Sequence, residues 1–199
     1  QYSLGNGVLV WPLLLTALWC LKINRRIIGI TGLVALVSTG LYYIGYRSVQ
    51  VQPSTEAMNV PVEFVLYFFA YLGRPLSYNP QLAALCGLAM TLIFSFGLGY
   101  LYLKHPNRFK KSLPWAFLGV FVLASAAATA MSRLGFGAVT ALTSRYSTVS
   151  SLLLVSVVML VYLQRDLLRR YLGAWYPRAV IGVCVLLGAL LGLNYVNGV

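Results

Sequence analysis

Six long apolar segments, separated by short loops that hold most of the charge, dominate the sequence. No segment contains a charged side chain, and they cover residues 7–21, 27–46, 81–103, 113–132, 148–163 and 179–195. A helix needs about 20 apolar residues to cross the hydrocarbon core of a bilayer. The pattern therefore predicts an all-α fold, a polytopic membrane helix bundle with about six transmembrane helices, in which residues 1–199 form one transmembrane domain.

The composition agrees with this prediction. Apolar residues make up 60% of the chain and charged residues only 9%, whereas about a quarter of a soluble domain is charged. An ordinary soluble fold, a disordered chain and a soluble nucleic-acid-binding protein are excluded, and we expect no nucleic-acid partner. Because the chain begins at Gln1, we also expect it to be a fragment of a longer membrane protein.

A seventh apolar segment, residues 62–72, is too short to cross a bilayer as a helix. It lies between Pro61 and a Gly73-Arg74-Pro75 turn, and it contains Glu63. A segment of this length is typical of a re-entrant or an interfacial helix. The sequence leaves both possibilities open.

The basic residues indicate the orientation. If residues 62–72 do not cross, 11 of the 15 Lys and Arg residues lie on one side of the membrane. If they do cross, the later loops change sides and the bias vanishes or reverses. Since basic residues collect in cytoplasmic loops, we expect a multi-pass membrane protein with both visible termini outside. The outer basic residues are then Arg47, Arg74, Arg133 and Arg145.

The last inner loop, residues 165–178, combines arginines with apolar side chains at helical spacing. This pattern predicts an amphipathic helix in the inner-leaflet interface, stabilised by apolar burial and by attraction to anionic lipid. Membrane lipid is therefore an expected partner. A binding site for another membrane subunit is the alternative.

Carboxylates are scarce, because the chain has only three. Asp166 stands among arginines and predicts a solvated ion pair, and Glu56 lies in a polar loop. Glu63 opens the short helix, where a carboxylate interacts favourably with the helix dipole. The alternative is that Glu63 acts as a catalytic general base at the membrane surface.

Three arginines stand at the outer boundary, against the general charge bias. Arg74, Arg133 and Arg145, with Tyr146 beside the last, are candidates for binding an anion such as a lipid diphosphate, because a guanidinium binds phosphate through two hydrogen bonds. The other interpretation is that they reach lipid phosphates along their own apolar stems. No cofactor is expected, and no metal, since His105 is the one histidine and has no partner ligands in the sequence.

Small residues predict where helices approach closely. Residues 123–132 (LASAAATAMS) are nearly all small and should lie centrally in the bundle. Gly188 and Gly192 form a small-xxx-small pair that predicts a second close contact on the last helix.

Residues 132–137 (SRLGFG) and 141–148 (ALTSRYST) form a G-F-G…S-R-Y loop. This loop, with residues 64–76, which end in YLGRPL, resembles uncharacterised bacterial multi-pass membrane proteins over roughly residues 60–155. The resemblance implies the bacterial cytoplasmic membrane as the location of the protein. The general pattern is similar to polyprenol-dependent polysaccharide enzymes of the cell envelope, and the similarity implies a polyprenyl-diphosphate sugar, a lipid-linked saccharide, bound at the outer face. The chain lacks the acidic residues that such enzymes usually carry in an early outer loop. A non-catalytic membrane subunit or scaffold is the alternative, and the absence of charge within the spans disfavours a transporter.

Overall fold

The computed structural model describes residues 5–44, 61–133 and 138–196, and within these ranges all regular structure is helical. Short 3₁₀ turns cover Ala138–Leu142 and Gly173–Trp175. The helices are α1 (Gly5–Val8), α2 (Val10–Cys20), α3 (Arg25–Tyr43), α4 (Pro61–Gly73), α5 (Pro80–Lys104), α6 (Pro106–Arg133), α7 (Ser144–Leu163), α8 (Arg165–Leu172) and α9 (Tyr176–Val196). The all-α membrane bundle predicted from the sequence is confirmed.

Five helical stretches of the described chain are long and apolar enough to cross a membrane: α3, α5, α6, most of α7, and the run Arg165–Asn194, which contains α8 and most of α9. The first of the six predicted spans is instead the 11-residue helix α2, preceded by the single turn α1. Pro12 accounts for the interruption, because it has no N–H to donate to the carbonyl of Val8 four residues earlier.

The core lies where α4, α5, α6 and α7 pack together. Helix α4 has 13 residues, close to the predicted segment 62–72. Its first turn is exposed, whereas Tyr67, Tyr71 and Leu72 in its later turns are completely buried. The short helix therefore enters the bundle with its carboxyl end.

Two glycines explain how closely α4 packs against α5. A Cβ atom on Gly73 would lie 1.8 Å from the carbonyl oxygen of Ala83, and one on Gly87 would lie 2.0 Å from the carbonyl oxygen of Phe69. Both distances are far below van der Waals contact, so only glycine fits at either position. The two helices touch backbone to backbone, as small residues permit in membrane bundles.

The small residues of α6 occupy the predicted central position, with Ser125, Ala126 and Ala130 fully buried. The predicted contact at Gly188 and Gly192 is wrong, because nothing in the described chain lies within 4 Å of the Cβ position of either glycine. A small residue permits a close approach but does not require a partner, and α9 shows most of its surface uncovered.

The described helices place the charged loops at two opposite ends of the bundle. At one end, Arg108 of α6 donates from Nη1 to the carbonyl of Leu163, 3.2 Å away, which joins the start of α6 to the end of α7. We call this the basic end; it comprises residues 104–111 and 163–178. At the other end, which we call the Arg74 end, the α4–α5 turn meets the 3₁₀ turn before α7 and the last turn of α9.

Candidate functional site

The side chain of Arg74 is buried at the end of α4, with only 2% of its surface exposed. Its Nε donates to the carbonyl of Leu142, and its Nη1 donates to Oδ1 of Asn194 across 3.1 Å. The guanidinium also lies 3.7 Å from the centre of the Tyr78 ring. One side chain thus connects the α4–α5 turn, the 3₁₀ turn and α9.

Asn194 completes this arrangement from the opposite direction. Its Nδ2 donates to the carbonyl oxygens of Arg74, at 3.2 Å, and of Pro75, at 2.7 Å. The amide therefore both accepts from the buried guanidinium and satisfies two carbonyls of the turn that carries it. Asn194 thus connects α9 to the core through hydrogen bonds.

The charge of Arg74 has no counter-charge among the described residues. The two described carboxylates belong to Glu63 and Asp166, and neither forms a salt bridge with Arg74. Neutral oxygens and an aromatic ring offset part of the cost of removing a cation from water, which is several kcal/mol. Among the described residues, Arg74 therefore adds an uncompensated positive charge to this end, and such a charge favours the approach of an anion.

A second arginine lies near a pair of contacting tyrosines at the same end, whose rings are tilted by 40° to each other. The rings of Tyr71 and Tyr146 are 5.0 Å apart, and the guanidinium carbon of Arg133 lies 5.9 Å from the centre of the Tyr146 ring. Tyr146 is buried, whereas Arg133 is half-buried. Of Arg74 and Arg133, Arg133 is therefore the one that a ligand can reach without a rearrangement of the helices.

The Tyr71 hydroxyl is a neutral hydrogen-bond donor. Burial raises the pKa of the Tyr71 phenol well above its ordinary range, and the neighbouring Tyr146 phenol raises it further. The group therefore stays protonated under ordinary conditions. Because Tyr71 is completely buried, its protonated phenol does not contact a ligand at the surface and cannot serve as a base.

The structure brings Arg74, Arg133 and Tyr146 to one end of the bundle, as the sequence predicted. It also shows that the guanidinium of Arg74 is engaged by the protein itself, so an anion would have to displace Leu142 or Asn194 to bind it directly. Arg145 lies in the first turn of α7, but its side chain is outside the part of the chain that the structure describes.

Glu63 lies apart from these residues. It is exposed in the first turn of α4, and a rise of about 1.5 Å per residue places it roughly 15 Å along the helix from Gly73. The structure does not bring it to the arginines, and its role as a general base stays a prediction. Glu56 and the glycine pair at Gly135 and Gly137 are outside the described residues.

Sequence reasoning missed Asn194, Tyr71 and Tyr78. Asn194 carried a usable signal, because it is the one amide in the apolar run 179–195, and a polar group at membrane depth normally has a specific partner. Tyr71 and Tyr78 carried none, since tyrosines near span ends are common.

Within the described ranges, no three His, Cys, Asp or Glu side chains come together as a metal site requires. Comparison of the chain with protein-family profiles, with curated proteins and with solved structures finds no match. The resemblance of the outer loop to bacterial multi-pass proteins therefore stays a prediction.

Proposed function

We propose that this integral membrane protein binds a lipid-linked anionic substrate, of the polyprenyl-diphosphate sugar class, in bacterial envelope polysaccharide metabolism. The observation that carries the proposal is the buried guanidinium of Arg74, which lacks a counter-charge among the described residues and lies at the same end as the accessible Arg133. A phosphate bound there would supply the missing negative charge.

Each group at the Arg74 end has a task in this proposal. Arg133 donates to two oxygens of one phosphate, because its guanidinium presents paired N–H groups. The Tyr146 ring holds that guanidinium in place through a cation–π contact. Arg74 contributes its field from beneath without touching the ligand, and Arg145 is a further candidate contact.

The proposed orientation places the Arg74 end outside. It follows from the positive-inside rule, because the basic end carries most of the Lys and Arg residues of the described loops. A lipid-linked diphosphate presented at the outer surface would then meet Arg133, while its polyprenyl chain remains among the lipid tails beside the bundle.

Ligand binding to the purified protein tests the proposal. A polyprenyl diphosphate is titrated in detergent, and the bound fraction is measured by native mass spectrometry for the wild type, Arg133→Gln and Arg133→Lys. A hydrogen bond to a charged group contributes about 1.5–3 kcal/mol, so Arg133→Gln should weaken binding on the order of 10- to 100-fold. Arg133→Lys should recover only part of the affinity, since it keeps the charge and loses the paired donors.

Lys110→Gln is the matched control, because it removes one exposed positive charge from the opposite end. Equal binding by Arg133→Gln and Lys110→Gln would contradict the proposal. In cells, alanine at Arg133 and Arg145 in the complete protein should lower surface polysaccharide at normal protein level.

A second candidate is a non-catalytic membrane subunit. The observation in its favour is that α3 and α9 leave nearly all of their apolar surface uncovered, with Leu36 and Val185 among the exposed side chains. Native mass spectrometry of the assembly extracted from its own membrane separates the two functions. A stable complex with another membrane subunit, without diphosphate binding, supports the second.

A further inference from the structure

The basic end carries far more positive than negative charge. Its two segments, 104–111 and 165–178, contain eight basic side chains and one carboxylate. That carboxylate, of Asp166, lies 3.1 Å from Nη2 of Arg108 and 3.8 Å from Nε of Arg165. The basic side chains left without a described carboxylate partner are Lys104, Lys110, Lys111, Arg169, Arg170 and Arg178.

Helix α8 and the turn after it present arginines beside exposed aromatic rings. Arg169 and Arg170 are exposed, and 82% of the Tyr171 surface and 67% of the Trp175 surface are uncovered. The guanidinium carbon of Arg178 lies 5.2 Å from the centre of the Trp175 ring. We call these five residues the α8 surface.

The α8 surface has the side chains expected at a membrane interface, where polar headgroups meet apolar acyl chains. Exposed apolar patches mark interaction sites, and aromatic rings beside cations match the boundary between lipid headgroups and acyl chains. The nearby helix α7 repeats the pattern, because the guanidinium carbon of Arg165 lies 4.5 Å from the centre of the exposed Tyr162 ring. Aromatic rings paired with guanidinium groups thus recur at the basic end.

We propose that the α8 surface binds the headgroups of anionic phospholipids in the adjacent leaflet. Arg169, Arg170 and Arg178 donate to headgroup phosphates, and Tyr171 and Trp175 enter the headgroup–acyl boundary. The excess positive charge complements an anionic lipid, since the one carboxylate of this end is already paired. The site lies at the opposite end from Arg133, so it does not depend on the proposed diphosphate site.

Trp175 itself supplies the probe. A single-tryptophan protein, with Trp11, Trp19 and Trp115 replaced by phenylalanine, is reconstituted in nanodiscs that contain lipid with brominated acyl chains. Quenching of Trp175 fluorescence is compared for brominated phosphatidylglycerol and brominated phosphatidylcholine at equal mole fraction. We expect quenching by both lipids and stronger quenching by phosphatidylglycerol, because the arginines concentrate anionic lipid around Trp175.

Two matched double variants test the role of charge. Each basic residue near a membrane surface contributes roughly a fivefold preference for anionic lipid, so Arg169→Gln with Arg170→Gln should remove most of the phosphatidylglycerol preference. Arg133→Gln with Arg145→Gln removes equal charge from the other end and should leave the preference unchanged. Lysine at positions 169 and 170 should retain it, and 0.5 M salt should weaken it.

The proposal is overturned if neither brominated lipid quenches Trp175, since protein or water would then cover the ring. It is equally overturned if both lipids quench Trp175 to the same extent in the single-tryptophan protein. The same holds if the variant with glutamine at positions 169 and 170 keeps the full preference for phosphatidylglycerol. Elution volume and helical content of each variant establish that the comparison concerns folded protein.

Discussion

Replacement of Gly87 by alanine should separate α4 from α5 and destabilise the bundle. The added Cβ would lie 2.0 Å from the carbonyl oxygen of Phe69, whereas ordinary contact begins at 3.4 Å, so the backbones must move apart by about 1.4 Å. Both clashing atoms belong to rigid helices, and no side chain can rotate away. Overpacking of this kind costs about 1–3 kcal/mol, and we expect the upper part of that range.

Gly99 on the same helix is the matched control, because nothing lies within 4 Å of its Cβ position. Gly99→Ala should be neutral or slightly stabilising, since alanine favours a helix by up to about 1 kcal/mol over glycine. Thermal loss of helicity, followed by circular dichroism in one detergent, should occur roughly 10 °C lower for Gly87→Ala than for Gly99→Ala. Equal midpoints for the two variants would refute the close contact between α4 and α5.

Three further predictions follow from the buried contacts. Gly119→Ala should destabilise the protein by about 1–3 kcal/mol, and Phe94→Leu should recover part of the loss in thermal melts, because the added Cβ would lie 2.2 Å from the Phe94 ring. Asn194→Leu should lower stability by about 2 kcal/mol, since Arg74 loses an acceptor and two carbonyls lose a donor; a melt identical to wild type would contradict this. Tyr71 has a raised pKa in the folded protein, so above pH 10 the unfolded chain loses the phenol proton while the folded protein keeps it. The contribution of this phenol to the free energy of unfolding is therefore complete below pH 10 and falls as the pH rises above 10. Tyr71→Phe should show a shallower loss of stability between pH 10 and 11 in the same assay.

The short helix α4 shows what hydropathy can predict and what it cannot. Its length and bounds followed from the apolar segment 62–72 between two turn signals, and the structure extends it by only one residue at each end. Its burial did not follow, because its large buried side chains, such as Tyr67 and Leu72, are apolar enough to face either lipid or protein. The contact is decided by the pairing of Gly73 with α5, which is a property of two helices together.

The glycines also show that a local pattern does not determine which helices touch. Gly188 and Gly192 have the spacing that predicts a helix contact, yet both are open in this chain, whereas Gly73 and Gly87 touch a neighbouring helix. Small residues are necessary for a close approach but do not select the partner.

The candidate site was predictable as a set of residue types and not as a set of contacts. Arg74 and Arg133 stood out because they oppose the charge bias of the loops, and they do lie at one end of the bundle. Their different roles depend on burial. Arg74 is buried and hydrogen-bonded to Leu142 and Asn194, whereas Arg133 is only half-buried. The partner Asn194 comes 120 residues later in the chain, and no local pattern relates the two.

The orientation of the bundle tests the central claim most directly, because the proposed diphosphate site requires the Arg74 end to be outside. Topology reporters fused after His105 and after Gly135, in the complete protein, report the location of the two ends. We predict a cytoplasmic signal at His105 and an external signal at Gly135. An external signal at His105 with a cytoplasmic signal at Gly135 would place the arginines on the inner side and contradict the account.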